Sequence, residues 1–188
     1  MSQRFSGSPS ASGGCRLELE WHVPAGERLV AADHYHPDGP ERWTVLEGSA
    51  AHRLDRVEHR VDAPAEWVVE AFTSHGHPRN VGDGELVVRQ LIDTGSEPMA
   101  ELTGGVQGFF ETLFAFAQDG RVTPDGEIEG RLQNTLTVHD LLVPGTFLAG
   151  PPRLAQRALL GSVAALARLA GRRAYRRPEV ASGGVGPG

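Results

Sequence analysis

The stretch His34-Tyr35-His36-Pro37-Asp38-Gly39-Pro40-Glu41-Arg42-Trp43-Thr44-Val45-Leu46-Glu47-Gly48 decides how this chain folds. Two histidines two positions apart on a strand project from the same face, because side chains alternate across a pleated backbone. Pro37, Asp38, Gly39 and Pro40 are turn residues that bend the chain at once. Glu41 then opens a second strand, which Glu47-Gly48 stops. The pattern brings two imidazoles and one carboxylate together, the ligand chemistry of a mononuclear transition-metal site. A further ligand has to come from elsewhere, and Ser74-His75-Gly76-His77 offers one.

On the N-terminal side of this stretch, residues 16–23 alternate cleanly. Leu17, Leu19, Trp21 and Val23 fall on one side and Arg16, Glu18, Glu20 and His22 on the other, which is a half-buried strand. On the C-terminal side, 50–54 and 57–61 read as a hairpin about Asp55-Arg56. Residues 67–72 read as a strand running into His75, Val81-Gly82-Asp83-Gly84 as a turn, and 86–92 as a last apolar strand. About eight short strands therefore fit between residues 16 and 93, with turn signals at the spacing of an antiparallel barrel or jelly roll.

After Asp93-Thr94-Gly95 the period changes from two to 3.6. Val106, Phe109, Phe110, Leu113, Phe114 and Ala117 predict one helix, with Gly120 at its C-terminal end. Leu132, Leu136, His139, Leu142 and Val143 predict a second, ended by Pro144-Gly145. Pro151-Pro152 opens a third that runs to about Arg173. On it Arg153, Arg157, Arg168 and Arg172 share an arc of roughly 100°, with Ala155, Leu159, Val163, Leu166, Leu169 and Ala170 mostly opposite. The organisation read from this is a disordered tail over 1–14, a β-barrel over 15–95, a helical extension over 96–178 and a disordered tail over 179–188.

Composition narrows the chemistry. The 188 residues suffice for one domain with a full core, and 24 glycines and 13 prolines suit a fold of many turns. One cysteine, Cys15, excludes an intrachain disulfide and thiolate clusters. All 18 basic residues are arginine, so Schiff-base catalysis on lysine is excluded. Seven of them fall between Pro151 and Pro178 with no acid among them, while the net charge is −6. An acidic body does not suit general nucleic-acid binding, which rests on neutralising phosphates. The Ser/Gly-rich first residues carry no apolar signal segment, and no apolar run approaches the length of a membrane span. A cytoplasmic location is the expectation.

These residues resemble the cupin superfamily of small β-barrels. The family's first motif is matched by Gly26, His34, His36, Glu41 and Gly48, with a spacer before His34 two residues longer than usual. Its second motif falls on residues 70–80, where Glu70 and Phe72 replace the usual proline and glycine, and His75 and Asn80 are one residue further apart than usual. The resemblance covers about residues 16–93. The Phe-Phe-Glu-Thr-Leu-Phe segment and the Pro-Pro-Arg-Leu tail are similar to a group of small bacterial cupin-domain proteins with C-terminal helices.

The resemblance implies a mainly β fold, a single jelly-roll barrel followed by two or three helices. It also implies one divalent metal (Fe, Mn, Zn, Ni, Co or Cu) held by His34, His36, Glu41 and His75. His77 shares a strand face with His75, and is a ligand in its place, a partner to a ligand, a substrate-facing acid/base or a surface histidine. His77 and Glu70 are the first candidates for proton transfer, while Glu70, like Glu47, is otherwise read as a solvated carboxylate. Tyr35 should point away from the metal, and Trp43, Trp67 and Phe72 should line or pack the barrel. His22, His52, His59 and His139 stand in no motif.

The function expected is a small metalloenzyme acting on a small, partly apolar organic molecule. Its chemistry would be oxygenation, or isomerisation, cyclisation or lyase chemistry. The rivals are a non-catalytic cupin that senses or stores a ligand, and a scaffold that binds a partner through the arginine helix. That helix packs on the acidic barrel, joins a second subunit such as a homodimer partner, or rests on an anionic membrane surface.

Overall fold

The computed structural model describes residues 2–7, 16–28, 32–37, 40–93, 100–123, 127–142 and 145–177. The tail expected over 179–188 lies outside them. Among the described residues, ten strands and three helices follow one another in the order β1 (Ser2–Gly7), β2 (Arg16–Val23), β3 (His34–Tyr35), β4 (Glu41–Glu47), β5 (Ser49–Leu54), β6 (Val57–Asp62), β7 (Ala65–Val69), β8 (His75–Asn80), β9 (Leu86–Asp93), α1 (Ala100–Gln118), α2 (Arg131–Leu141), β10 (Phe147–Leu148) and α3 (Arg153–Leu169). Among the described residues, no helix is long and apolar enough to cross a membrane.

The strands form two five-stranded sheets, β1-β2-β9-β4-β7 and β10-β3-β8-β5-β6. No strand pairing joins the two among the described residues, so the expected closed barrel is instead an open sandwich. The alternation in β2 is realised as read: Leu17, Leu19, Trp21 and Val23 are buried, facing the core with Trp43, Val45, Leu86, Val88 and Ile92. Burying these side chains is the main stabilising term, at about 1.5–3 kcal/mol for each large one. Asp55 and Arg56 both have positive φ, 46° and 71°, which gives the β5–β6 turn the twist that a two-residue hairpin requires. Gly48 reaches the next strand through a φ of 84°, and a Cβ there would stand 2.6 Å from the Glu85 carbonyl oxygen.

Three local expectations fail, each for a physical reason. Ser2–Gly7 is not part of a tail: it pairs antiparallel with β2, whose free edge it covers. The strand expected over 67–72 ends at Val69, because residues 70–73 turn and Phe72 adopts φ 65°. Phe72 is consequently 62 % exposed and packs no core. The third helix stops at Leu169 rather than near Arg173.

The helical extension is not a separate appendage. In α1, Val106, Phe109, Phe110, Leu113 and Phe116 join the sandwich core, with Phe110 edge-on to Trp21 at 4.6 Å between ring centres. α1 and α2 pack closely at Gly105, where a Cβ would collide with the Leu141 carbonyl oxygen. After α2 the chain returns to the sandwich as β10, which pairs Phe147 with Tyr35 and Leu148 with His34. The sheet that carries the histidines therefore has an edge strand from the extension.

Candidate metal centre

Strand register assembles the site. β3 and β8 pair His34 directly with His75, so both imidazoles leave the sheet side by side, with ring centres 4.3 Å apart. His36 follows on the same face as His34, 5.1 Å away. Glu41 comes from the opposite sheet, at the start of β4, where it lies between Val69 and Ile92. One ligand atom from each of His34, His36, Glu41 and His75 can be chosen so that all lie within 4.8 Å of one another, and all four residues are buried.

The hydrogen bonds show what these atoms are prepared for. His34 Nδ1 lies 3.0 Å from the Ala32 carbonyl oxygen, His75 Nδ1 3.0 Å from that of Thr73, and His36 Nδ1 3.2 Å from that of Gly145. A carbonyl only accepts, so each Nδ1 is the donor and each neutral ring turns an unprotonated Nε2 inward. Glu41 Oε1 accepts a hydrogen bond from Gln90 Nε2 at 2.9 Å, and Gln90 Oε1 accepts one from Trp21 Nε1 at 3.1 Å. That chain fixes the carboxylate and leaves Oε2 aimed at the imidazoles, 3.2 Å from His36 Nε2 and 3.3 Å from His75 Nε2. Glu41 Oε2 and His75 Nε2 are buried without a hydrogen-bond partner.

Lone pairs converging on a carboxylate oxygen repel one another unless a proton or a metal ion sits among them, and buried polar atoms are rarely left unpaired. The residues therefore fit a divalent ion of the borderline transition series, for which imidazole nitrogen and carboxylate oxygen are suitable donors. The carbonyls behind the three rings are partners of the kind that hold metal-binding histidines in one tautomer.

The titration of the cluster has the same origin. Burial pushes Glu41 upward, but His75 and His36 beside it outweigh this and hold its carboxyl well below the usual range. Burial pushes His75 downward, and the Glu41 charge more than offsets it, so its pKa is raised. His34, buried and surrounded by His75, His77 and His36, is held well below the ordinary imidazole value.

A cavity of about 230 Å3 opens from the cluster toward the helices. His34, His36, His77 and Gln90 line its sandwich end, and Ile92, Val106, Phe109, Phe110, Val138 and Leu142 form much of its apolar wall. Of the two histidines that sequence left open, His75 joins the cluster and His77 stands beside it, its ring centre 5.0 Å from His34 and 5.4 Å from Trp43. His77 Nδ1 is buried without a partner, and burial pushes the ring down to about 4. Glu70 stays outside: with β7 ending at Val69, its side chain is exposed in the following turn and lines no part of this cavity. Tyr35 does point away, stacked on Phe147 and accepting a hydrogen bond from Arg153 Nε.

Three contributors escaped sequence reasoning. Gln90 left a signal, being the one polar residue among the inward-facing Leu86, Val88 and Ile92 of β9. Gly145 and Thr146, whose carbonyl and hydroxyl oxygens approach His36 Nδ1, left none, since they lie in a turn more than a hundred residues away.

No protein-family model matches the chain, and no curated protein is detectably similar in sequence. Solved structures of cupin or double-stranded β-helix proteins do match. A double-stranded β-helix protein from Klebsiella pneumoniae is 20% identical, with 50% of this chain and 77% of that one covered and a TM-score of 0.43. A predicted oxalate decarboxylase from Thermotoga maritima is 19% identical over 50% and 79% of the two chains, with a TM-score of 0.45. A cupin superfamily protein from Desulfitobacterium hafniense is 14% identical over 50% and 77%, with a TM-score of 0.41.

Proposed function

We propose that this protein is a small metalloenzyme that holds one divalent transition metal on His34, His36, Glu41 and His75 and acts on a small, largely apolar organic molecule in the adjoining cavity. The observation that carries the reading is the set of inward Nε2 atoms around the unpartnered Glu41 Oε2, facing a cavity walled by Phe109 and Phe110. Such an ion, when bound, supplies Lewis acidity toward a substrate oxygen or a site for O2 chemistry, hence isomerisation, cyclisation or lyase chemistry on the one hand and oxygenation on the other.

The chain's own residues do the rest. The Ala32, Thr73 and Gly145 carbonyls hold the imidazoles in the ligating tautomer. Val106, Phe109, Phe110 and Ile92 exclude water and receive the apolar body. His77, beside His34, offers a ring nitrogen without a partner in the protein and is the group placed to take and return a proton. No arginine lines the cavity among the described residues and Glu127 does, so apart from the ion itself a compound carrying a phosphate or two carboxylates finds no counter-charge there. The substrate that fits carries one oxygen function on an apolar frame.

Metal analysis of untagged protein, wild type and His36→Ala, tests the site. One equivalent in the wild type and its loss in the variant are expected. Substoichiometric metal in the wild type, unchanged by His36→Ala, would sink the proposal. Tight binding of an apolar oxygenated ligand to the metal-loaded protein without turnover would leave a capture protein instead of an enzyme.

A further inference from the structure

α3 is built inside out. Its buried residues are Gln156, Ala164 and Ala167, whereas Leu154, Leu159, Leu166 and Leu169 are 81 %, 67 %, 59 % and 85 % exposed. The sequence pattern leads one to expect the leucines inward. They are displaced because the inner side of the helix makes polar and small-residue contacts: Gln156 Nε2 donates to the Leu148 and Pro151 carbonyls and its Oε1 accepts from the Leu148 N–H, while Ala164 and Ala167 pack on Leu136. At 100° per residue the four leucines share an arc of about 140° with Ala155, Ala158, Ser162 and Ala165, all exposed. Patches of exposed large apolar side chains of this extent mark contact surfaces.

We propose that this face is the interface of a homodimer, in which α3 of one copy packs antiparallel on α3 of a second about a two-fold axis at Ser162. Turned end for end about that residue, leucines fall level with alanines: Leu159 with Ala165, Leu166 with Ala158 and Leu169 with Ala155. Each pair occurs twice, as a self-complementary two-fold contact requires. Large residues opposite small ones interdigitate, and the small ones let the two backbones come close. The 17 residues span about 25 Å, enough for two apolar ridges to mesh over four to five turns.

Charge agrees with this register. Arg153 lies over the Tyr35, Phe72 and Phe147 rings, Arg157 over Phe147, and Arg168 pairs with Asp140, so these three turn back onto their own copy. The exposed Arg172 and Arg173 lie beyond the C-terminal end of α3. The reversal carries them to the N-terminal end of the other copy's helix, where the turn bearing the exposed Glu70 lies beside Arg153 through Phe72. An anionic membrane is the competing occupant, but the face carries no aromatic anchor, and three of the helix's arginines are committed inward.

The interface is independent of the metal reading, and the test uses the full chain. Sedimentation equilibrium at micromolar concentration is expected to give a dimer. The double variant Leu159→Glu, Leu166→Glu should raise the dissociation constant on the order of a hundredfold, while circular dichroism and metal content stay unchanged. Ser162→Cys in a Cys15→Ser background should cross-link to a covalent dimer on mild oxidation, since the two thiols meet on the axis. Ala170→Cys in the same background should not. A monomeric wild type, a dimer insensitive to both glutamates, or a Ser162→Cys protein that fails to cross-link overturns the proposal. A monomer that co-sediments with anionic vesicles and is released by salt overturns it in favour of a lipid surface.

Discussion

Gln90→Leu removes the carboxamide that links Trp21 to Glu41 while nearly preserving volume. Trp21, Gln90 and Glu41 are 1 %, 2 % and 1 % exposed, so water cannot replace what is lost. Two groups become orphans, the indole N–H and Glu41 Oε1. A hydrogen bond to a charged acceptor contributes about 1.5–3 kcal/mol, and an unpaired buried donor costs about 1–3 kcal/mol. The variant should therefore be less stable by roughly 2.5–6 kcal/mol, read as a lowered urea midpoint at unchanged slope. Its carboxylate is also released to rotate, so the metal dissociation constant should rise about 10- to 100-fold, the range seen for the loss of partners behind metal ligands. Trp21→Phe separates the two effects. It orphans Gln90 Oε1 but leaves the Glu41 bond, so stability falls while metal affinity, measured by chelator competition, stays within a few-fold. A Gln90→Leu protein that binds metal as tightly as the wild type would refute the role given to this chain of hydrogen bonds.

Phe110→Ala should lower stability by about 3–5 kcal/mol, because the ring is buried edge-on against Trp21. It should also shift the thermal stabilisation by added ligands toward bulkier apolar frames, and an unchanged ligand preference would place substrate elsewhere. His52 supplies a pH prediction. Its ring is stacked on Trp67 at 3.9 Å, and burial, aided by His59, pushes it down to about 4. The folded pKa is depressed below the unfolded value of about 6.5. The stabilisation is therefore full above that value and is lost as pH falls toward 4. His52→Phe keeps the stack and should flatten the melting temperature profile across that window relative to wild type, and a parallel profile would contradict the assignment.

Much of the sandwich was legible because its local rules agree. Leu17, Leu19, Trp21 and Val23 alternate, Asp55-Arg56 and Val81-Gly82 turn, and two histidines two apart must share a face. The cluster of His34, His36, Glu41 and His75 followed from the same period of two, with the cupin resemblance supplying His75. What stayed hidden depends on partners rather than pattern. Phe147–Leu148 is a strand only because β3 lies beside it, and Ser2–Gly7 only because β2 offers an edge. Glu70 could be named from sequence either as a proton-transfer candidate or as a solvated carboxylate, and the turn at Phe72 leaves it exposed. In α3 the amphipathic pattern was real, but Gln156 bound the Leu148 backbone and decided which side faced inward.

The tether between His36 and Gly145 spans 109 positions. A chain cut, or still emerging, before that glycine has its other three donors yet lacks the acceptor that locks the tautomer of the fourth. The cluster is thus completed only when the C-terminal half has been made and docked. The turn after α2 acts as the clasp of the cluster, and grafting the strands alone onto another scaffold would carry over the donors without the fastening.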